Sequence, residues 1–371
     1  MNILSVTSSP HIANKRSTRG IMLDVVIALL PALGVSVYLF GYRSAVLSGV
    51  CVAACVAFEW LYEKLLHRPV TVGDLSAVVT GLLLAYNLPA TLPVWMAVVG
   101  SFVSIVIVKQ LFGGIGCNFV NPALVGRVVM AVSFASAMTD YAYPATAPDV
   151  LSSATPLNLI EQGGGEGLDA LTLFLGNYGG VLGETSCAAL LLGGVYLVLR
   201  GVIKPIIPVA YIGSTLLFSW MFGCAHPLYA ILSGGLFLGA VFMATDYTTV
   251  PYTNAGKLVF ALGLGLLTSV IRIFANSTEG VSYAILIMNL LVPYINDACR
   301  RRPFGAAAAA KGKKIALGTA AALLVGLLIF GAVYRIDKGP RISEPDAGSS
   351  ATVDAGSGAT GEAGATASAT A

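Results

Sequence analysis

Charge is the scarcest property of this chain. Asp, Glu, Lys and Arg make up only 11% of its 371 residues, against roughly 25% in an ordinary soluble domain. A soluble enzyme is thereby excluded. The six cysteines (Cys51, Cys55, Cys117, Cys187, Cys224 and Cys299) include no C-x-x-C pair. Neither a disulfide framework nor an iron–sulfur site within this chain is expected. Cys51 and Cys55 stand at i and i+4, where shared packing on one helix face is the simplest use. Only three histidines occur, His11, His67 and His226, far apart in sequence, which argues against a metal site. The net charge of +3 is small and points to no nucleic-acid partner. No cleavable signal peptide is expected either. Residues 1–20 are polar and basic (Lys15, Arg16, Arg19), and the apolar run from Ile21 to about Gly41 is too long for a signal h-region. That run is expected to be a retained anchor.

What the chain has instead is apolar length: 56% of its residues are hydrophobic. Apolar runs fall at about 21–41, 44–63, 73–88, 93–112, 119–138, 185–200, 203–222, 227–244, 256–275, 280–296 and 315–334. Most can cross a hydrocarbon core of about 30 Å. The expected fold is therefore all-α, a polytopic membrane protein of about 10–11 transmembrane helices. The 73–88 and 227–244 runs are short, contain Gly, and lead into irregular Pro-containing stretches. They read as broken or re-entrant helices, tolerated where backbone is buried in protein or lines a cavity.

Basic residues set the orientation. With the N-terminus inside, the inner loops collect Lys64, Arg68, Lys109, Arg200, Lys204, Lys257, Arg300–Arg302, Lys311, Lys313 and Lys314. The outer loops are nearly free of them; Arg43 and Arg272 lie near outer ends. The 139–184 loop then faces outward. Residues 81–93, GLLLAYNLPATLP, align without gaps to 239–251, GAVFMATDYTTVP, matching Gly81 to Gly239, Thr91 to Thr249 and Pro93 to Pro251. Each stretch lies in the third run of a block of five. Five is odd, so the second block enters from the opposite side, as in an inverted-topology repeat. The resulting plan has a cytoplasmic segment (1–20), a first helical repeat (21–138) and an outward loop (139–184). A second repeat (185–297), a basic loop with an extra transmembrane helix (298–334) and a low-complexity tail (335–371) complete it. The tail holds too little apolar surface to fold and is expected to be disordered.

Within the outward loop, Asp149-Val150-Leu151-Ser152-Ser153-Ala154-Thr155 resembles the D-x-x-(S/T)-G-A-T acceptor signature, at which a flavin transferase joins FMN phosphate to a threonine hydroxyl as a phosphoester. Ser153 stands where Gly is usual and keeps the position small. With Ser9-Pro10-His11, Asn121-Pro122-Ala123 after Gly113-Gly114-Ile115-Gly116, Gly183-Glu184-Thr185-Ser186, Ala244-Thr245-Asp246, Ile271-Arg272, Glu279-Gly280-Val281, Met288-Asn289 and Pro293, the chain resembles the D subunits of Rnf complexes, ion-translocating ferredoxin:NAD oxidoreductases. It is more distantly similar to the B subunit of the sodium-translocating NADH:quinone reductase. The likeness spans about residues 8–297; the eleventh helix and the tail depart from the family's short C-terminus.

The resemblance implies covalent FMN on Thr155, with Asp149, Ser152 and Ala154 read by the transferase as the acceptor motif. It implies a urea-transporter-like fold of two inverted five-helix repeats and leaves room for riboflavin or a second noncovalent flavin. It implies partner subunits carrying iron–sulfur clusters, flavin and the NAD site, in the inner membrane of the cell, with electron transfer coupled to Na+ or H+ transport. From the residues themselves, Gly183, Glu184 and Thr185 open a helix: either a flavin-phosphate turn, with Thr185 as cap, or a plain capped helix with Glu184 favouring the dipole. Asp24, Glu59 and Asp246 are ionisable groups inside or at the edge of apolar runs and are functional candidates. Asp246 is either a ligand for a cation or second flavin, or a helix-break cap. Arg127 and Arg272 either counter a flavin or carboxylate charge or snorkel to the interface. The alternative to an electron-transfer subunit is a solute channel or transporter of related fold with no redox role.

Overall fold

The computed structural model describes residues 16–142, 169–184, 186–224, 226–274 and 279–300. Thr155, Asp149, Ser152, Ala154 and Thr185 lie outside them, as do the extra helix at 315–334 and the tail. Among the described residues the protein is helical, with no strand beyond a lone bridge between Pro89 and Val181.

Helix α1 runs Thr18–Phe40. Ser17 caps it by accepting from the Gly20 amide at 3.2 Å, and it stops at Gly41, whose φ of 76° suits glycine. Next come α2 (Tyr42–Leu65), the short α3 (Ser76–Tyr86), and α4 (Val94–Phe102), which continues as a π-helix over Val103–Gln110. Then follow α5 (Pro122–Ser133) and the single turn α6 (Ala135–Met138). Farther along the chain lie α7 (Ala170–Leu175), α8 (Cys187–Leu199) and α9 (Ile206–Met221). The second short segment is α10 (Pro227–Leu232) and α11 (Leu236–Leu238), the latter extended by a π-helix over Gly239–Met243. Helices α12 (Asn254–Phe274) and α13 (Gly280–Ala298) end the described chain.

Helices α1, α2, α12 and α13 are each long and apolar enough to cross a membrane, and five shorter apolar helices accompany them. Large apolar side chains such as Leu30, Val132, Leu192 and Leu199 stand exposed while Leu29, Leu84, Ile105 and Phe260 are fully buried. Both sides of these helices are apolar because lipid and protein interior are alike to them. The two short runs are broken, as expected: α3 ends at Tyr86, and α10 is separated from α11 by a turn at Ser233–Gly235. Cys51 and Cys55 are fully buried packing residues.

The two halves of the chain meet along α1 with α8 and α5 with α13. Gly193 on α8 makes the first approach possible. A Cβ there would come within 2.1 Å of the Ala28 carbonyl oxygen. Asp24 on α1 accepts from Arg200 at 3.1 Å and from the Tyr196 hydroxyl at 3.0 Å. At the centre the chain after α3 pairs with that before α8: Leu182 N donates to Leu88 O at 3.1 Å and Gly183 N to Tyr86 O at 2.9 Å. These bonds satisfy backbone that no helix covers, the requirement for irregular chain at membrane depth.

Candidate functional site

Arg127 stands at the core of the interface between the halves. Its helix begins where Asn121 caps α5, the side-chain oxygen accepting from Ala123 N at 3.1 Å with Pro122 in the first turn. From α5, Arg127 grips Glu279 with two parallel bonds, Nε at 2.6 Å and Nη2 at 2.9 Å. Nη1 reaches Glu184 at 2.5 Å and the Asn87 side-chain oxygen at 2.7 Å. Arg127 thus holds two carboxylates at once. The Arg127 side chain is 6% exposed, Glu184 12% and Glu279 16%. A planar guanidinium fits this fork, whereas an ammonium does not.

The three partners arrive from separate places. Asn87 follows α3, Glu184 precedes α8 and Glu279 precedes α13. Gly183 brings Glu184 in, because its backbone lies so close to Tyr86 that a Cβ would sit 2.2 Å from that side chain. The glycine therefore serves an approach to protein. Ser186 caps α8, accepting from Ala189 N at 3.3 Å from an extended backbone. The cap falls one residue beyond the expected Thr185, because the helix starts at Cys187. Glu184 is engaged by Arg127 rather than left to face a helix N-terminus.

A cavity of about 320 Å³ lies between the halves, walled by α1, α3, the end of the π-helix after α4, the start of α5 and the 245–248 turn. One turn of α3 links it to the Arg127 cluster: Leu83 lines the cavity and its carbonyl accepts from the Asn87 amide at 2.6 Å. Its polar lining includes Ser76, Lys109, Asn118, Asn121, Asp246 and Thr248. Met22, Val79 and Phe242 are among the apolar residues around them. Asn118 donates to Thr248 Oγ1 at 3.4 Å, and Thr248 donates to Asp246 at 3.0 Å. Asn121 donates to the Met243 carbonyl at 3.3 Å, tying α5 to the second broken segment. The Gly-rich loop enters the wall through left-handed backbone at Gly113, Gly114 and Gly116, with φ of 118°, 89° and 88°. Apolar walls with a few convergent amides and one carboxylate suit an amphipathic ring system that offers donors and acceptors at one edge.

Asp246 both lines this cavity and braces its own turn through Thr248 and Thr249. Glu59 and Lys109 form a buried pair at 2.7 Å, with Gln110 donating to the same Glu59 oxygen at 2.7 Å and Lys109 also reaching Ser76 at 2.5 Å. Lys109, counted among the loop charges from the sequence, is thus an interior residue. From the sequence, Glu59 stands out as an ionisable group inside the 44–63 run, whereas Lys109 falls near the end of the 93–112 run. Glu279 and Asn87 had no such signal, since each sits at the edge of an apolar run. Arg272 is buried and donates to the Ala230 carbonyl at 2.8 Å. Among the described residues no group of His, Cys, Asp and Glu side chains is arranged to hold a metal ion.

The family model of the NQR2, RnfD, RnfE family matches residues 5–305. The chain is 47% identical over 306 residues to the D subunit of the Na+-translocating ferredoxin:NAD+ oxidoreductase complex of Acetobacterium woodii, covering 81% of this chain and 95% of that protein. It is 40% identical over 320 residues to the D subunit of the proton-translocating ferredoxin:NAD+ oxidoreductase complex of Clostridium ljungdahlii, covering 82% and 97%. Identity is 35% over 347 residues to the D subunit of the ion-translocating oxidoreductase complex of Cronobacter sakazakii, covering 82% and 99%. With matches running almost end to end through those D subunits, the chain belongs to the NQR2, RnfD, RnfE family.

Proposed function

We propose that this protein is the D subunit of an ion-translocating ferredoxin:NAD+ oxidoreductase complex. In this reading it is a multi-pass membrane protein that carries covalent FMN on Thr155 and transfers electrons coupled to ion transport. The observation that carries the reading is the 47% identity over 95% of a relative of that name. The two relatives above differ in the ion they are named for, so the reading covers Na+ or H+. Membranes lacking this chain are expected to lose ferredoxin-dependent NAD+ reduction. Undiminished reduction without it would overturn the assignment.

The flavin supplies the electron chemistry when bound; the protein supplies position and surroundings. On this reading Thr155 is the tether, and Asp149, Ser152 and Ala154 present it to the flavin transferase. The cavity beside Asp246 takes riboflavin or a second noncovalent flavin, its amides and apolar walls meeting the two characters of such a ring. The Arg127 cluster holds the halves in register beside it. The pairing of α1 with α8 and of α5 with α13, first helix with first and fifth with fifth, supports two inverted five-helix repeats of urea-transporter-like form. The remaining subunits are expected to carry the iron–sulfur clusters and the NAD site.

The charge distribution supports an inner-membrane topology with the N-terminus in the cytoplasm and 139–184 outside. Asn158→Cys, in a chain stripped of its native cysteines, is expected to react with an impermeant thiol reagent in intact cells. Reaction only after lysis would reverse the topology. Asp246→Ala is expected to lower flavin occupancy or coupled ion transport while the complex still assembles. Purified variant complex with normal turnover and normal pumping would leave Asp246 as a brace for its turn alone.

A further inference from the structure

A second cleft, of about 400 Å³, opens beside the first, on the far side of the wall formed by Val202 and Tyr247, whose hydroxyl donates to the Val202 carbonyl. Two lysines line it, Lys204 just before α9 and Lys257 in the first turn of α12. Both ammonium groups thus border one cleft. The Arg16 guanidinium lies against Gly201, another lining residue. Among the described residues no Asp or Glu side chain lines this cleft. The nearest carboxylate along the chain, Asp246, is engaged by Thr248 and Thr249 and lines the neighbouring cavity.

Two ammonium groups lining one cleft, with no carboxylate among the described lining residues, give it a positive potential that favours an anion. Both helices that flank the cleft also begin there. The first turn of α9 has no side-chain cap, so its leading amides add positive potential at the same spot. The charge pattern along the sequence puts Lys204 and Lys257 in loops on the inner side. Tyr247 and Tyr252, 57% and 62% exposed, stand at the rim, the amphipathic residues expected at headgroup level. Within a turn along the same two helices, Val209, Leu258 and Val259 are exposed apolar side chains, suited to acyl chains.

We propose that this cleft binds the phosphate of an anionic ligand, and that the headgroup of an anionic phospholipid is the source its surroundings favour. Lys204 and Lys257 would neutralise the phosphate, the Ile206 and Ile207 amides at the start of α9 would donate to it, and the exposed valines and leucine would meet the lipid tails. Basic pockets of this kind between helices, at one face of the membrane, are a recurrent form of lipid recognition.

The test uses the full-length chain, delipidated in detergent and titrated with dioleoyl-phosphatidylglycerol under native mass spectrometry. Dioleoyl-phosphatidylcholine is the zwitterionic control, and inorganic phosphate is the soluble competitor. Wild type is expected to bind one phosphatidylglycerol more tightly than phosphatidylcholine. Lys204→Gln/Lys257→Gln is expected to weaken that binding by roughly tenfold or more, because each lysine beside an anionic headgroup is worth about fivefold. Lys204→Arg/Lys257→Arg should keep it. Lys204 is exposed, so Lys204→Gln alone serves if the double variant does not fold. Displacement of the lipid by inorganic phosphate would make a free phosphate compound the ligand, with the anion chemistry upheld. Equal binding of phosphatidylglycerol by wild type and the glutamine variants, or equal binding of phosphatidylcholine and phosphatidylglycerol by wild type, would overturn the proposal.

Discussion

Arg127→Leu is expected to destabilise the folded chain by about 3–5 kcal/mol, the range for removing one partner of a buried ion pair. The magnitude follows from what is left behind. Glu184 and Glu279 would remain beside each other with no cation in the fork, and Asn87 would lose the donor to its side-chain oxygen. The loss is not local, because Arg127 belongs to the proposed first repeat while Glu184 and Glu279 lead into helices α8 and α13 of the second. Unfolding in mild detergent, followed by tryptophan fluorescence, should therefore report a lower midpoint and a looser interface. Arg127→Lys should recover only part of the stability, since a lysine cannot make the paired bonds to Glu279. Adding Glu184→Gln and Glu279→Gln to Arg127→Leu should also recover part, because the stranded charges are then gone. A variant Arg127→Leu that unfolds like wild type would show that the cluster does not hold the halves together.

The helices of this protein are legible in its sequence because apolar length is a local property. The run at 44–63 appears as α2, Tyr42–Leu65, and the run at 256–275 as α12, Asn254–Phe274. Even the breaks are legible, since 73–88 is too short to cross, holds Gly81 and is followed by Pro89 and Pro93. The run at 119–138 is less faithful. Asn121 caps the chain, so α5 starts only at Pro122, and the helix is interrupted at Phe134. What the sequence hides is partnership. Arg127 meets Asn87, Glu184 and Glu279 across 40, 57 and 152 positions, and no local rule joins residues so far apart. Glu184 looked like an ordinary helix-start carboxylate because its true neighbour belongs to the other half. Lys109 looked like a loop charge because it ends an apolar run, and only the fold turns it inward onto Glu59. The cavity is hidden for the same reason: Asn118 and Asp246, joined through Thr248, are far apart in the chain.

Thr155→Val is expected to abolish covalent flavin altogether, and Thr155→Ala to do the same. A phosphoester needs a hydroxyl oxygen, and neither replacement has one; Thr155→Ser keeps the oxygen and is expected to retain some adduct. The rest of the chain should insert and fold. Thr155 is expected on the outward 139–184 loop, and substitutions on exposed loops usually shift stability by no more than about 0.5 kcal/mol. Loss of flavin with assembly intact would separate the tether from the scaffold. The unusual Ser153 sharpens the test. If the transferase requires only a small residue there, Ser153→Gly should leave the yield of adduct unchanged, whereas Ser153→Leu should lower it. Intact-mass measurement of the peptide containing Asp149 to Thr155 reads all of these variants on one scale, and ultraviolet-excited fluorescence of the denatured band gives an independent reading. An unmodified wild-type peptide, taken from cells with a working flavin transferase, would remove the flavin from this protein. The family relationship would stand, but the electron path would then have to bypass the 139–184 loop.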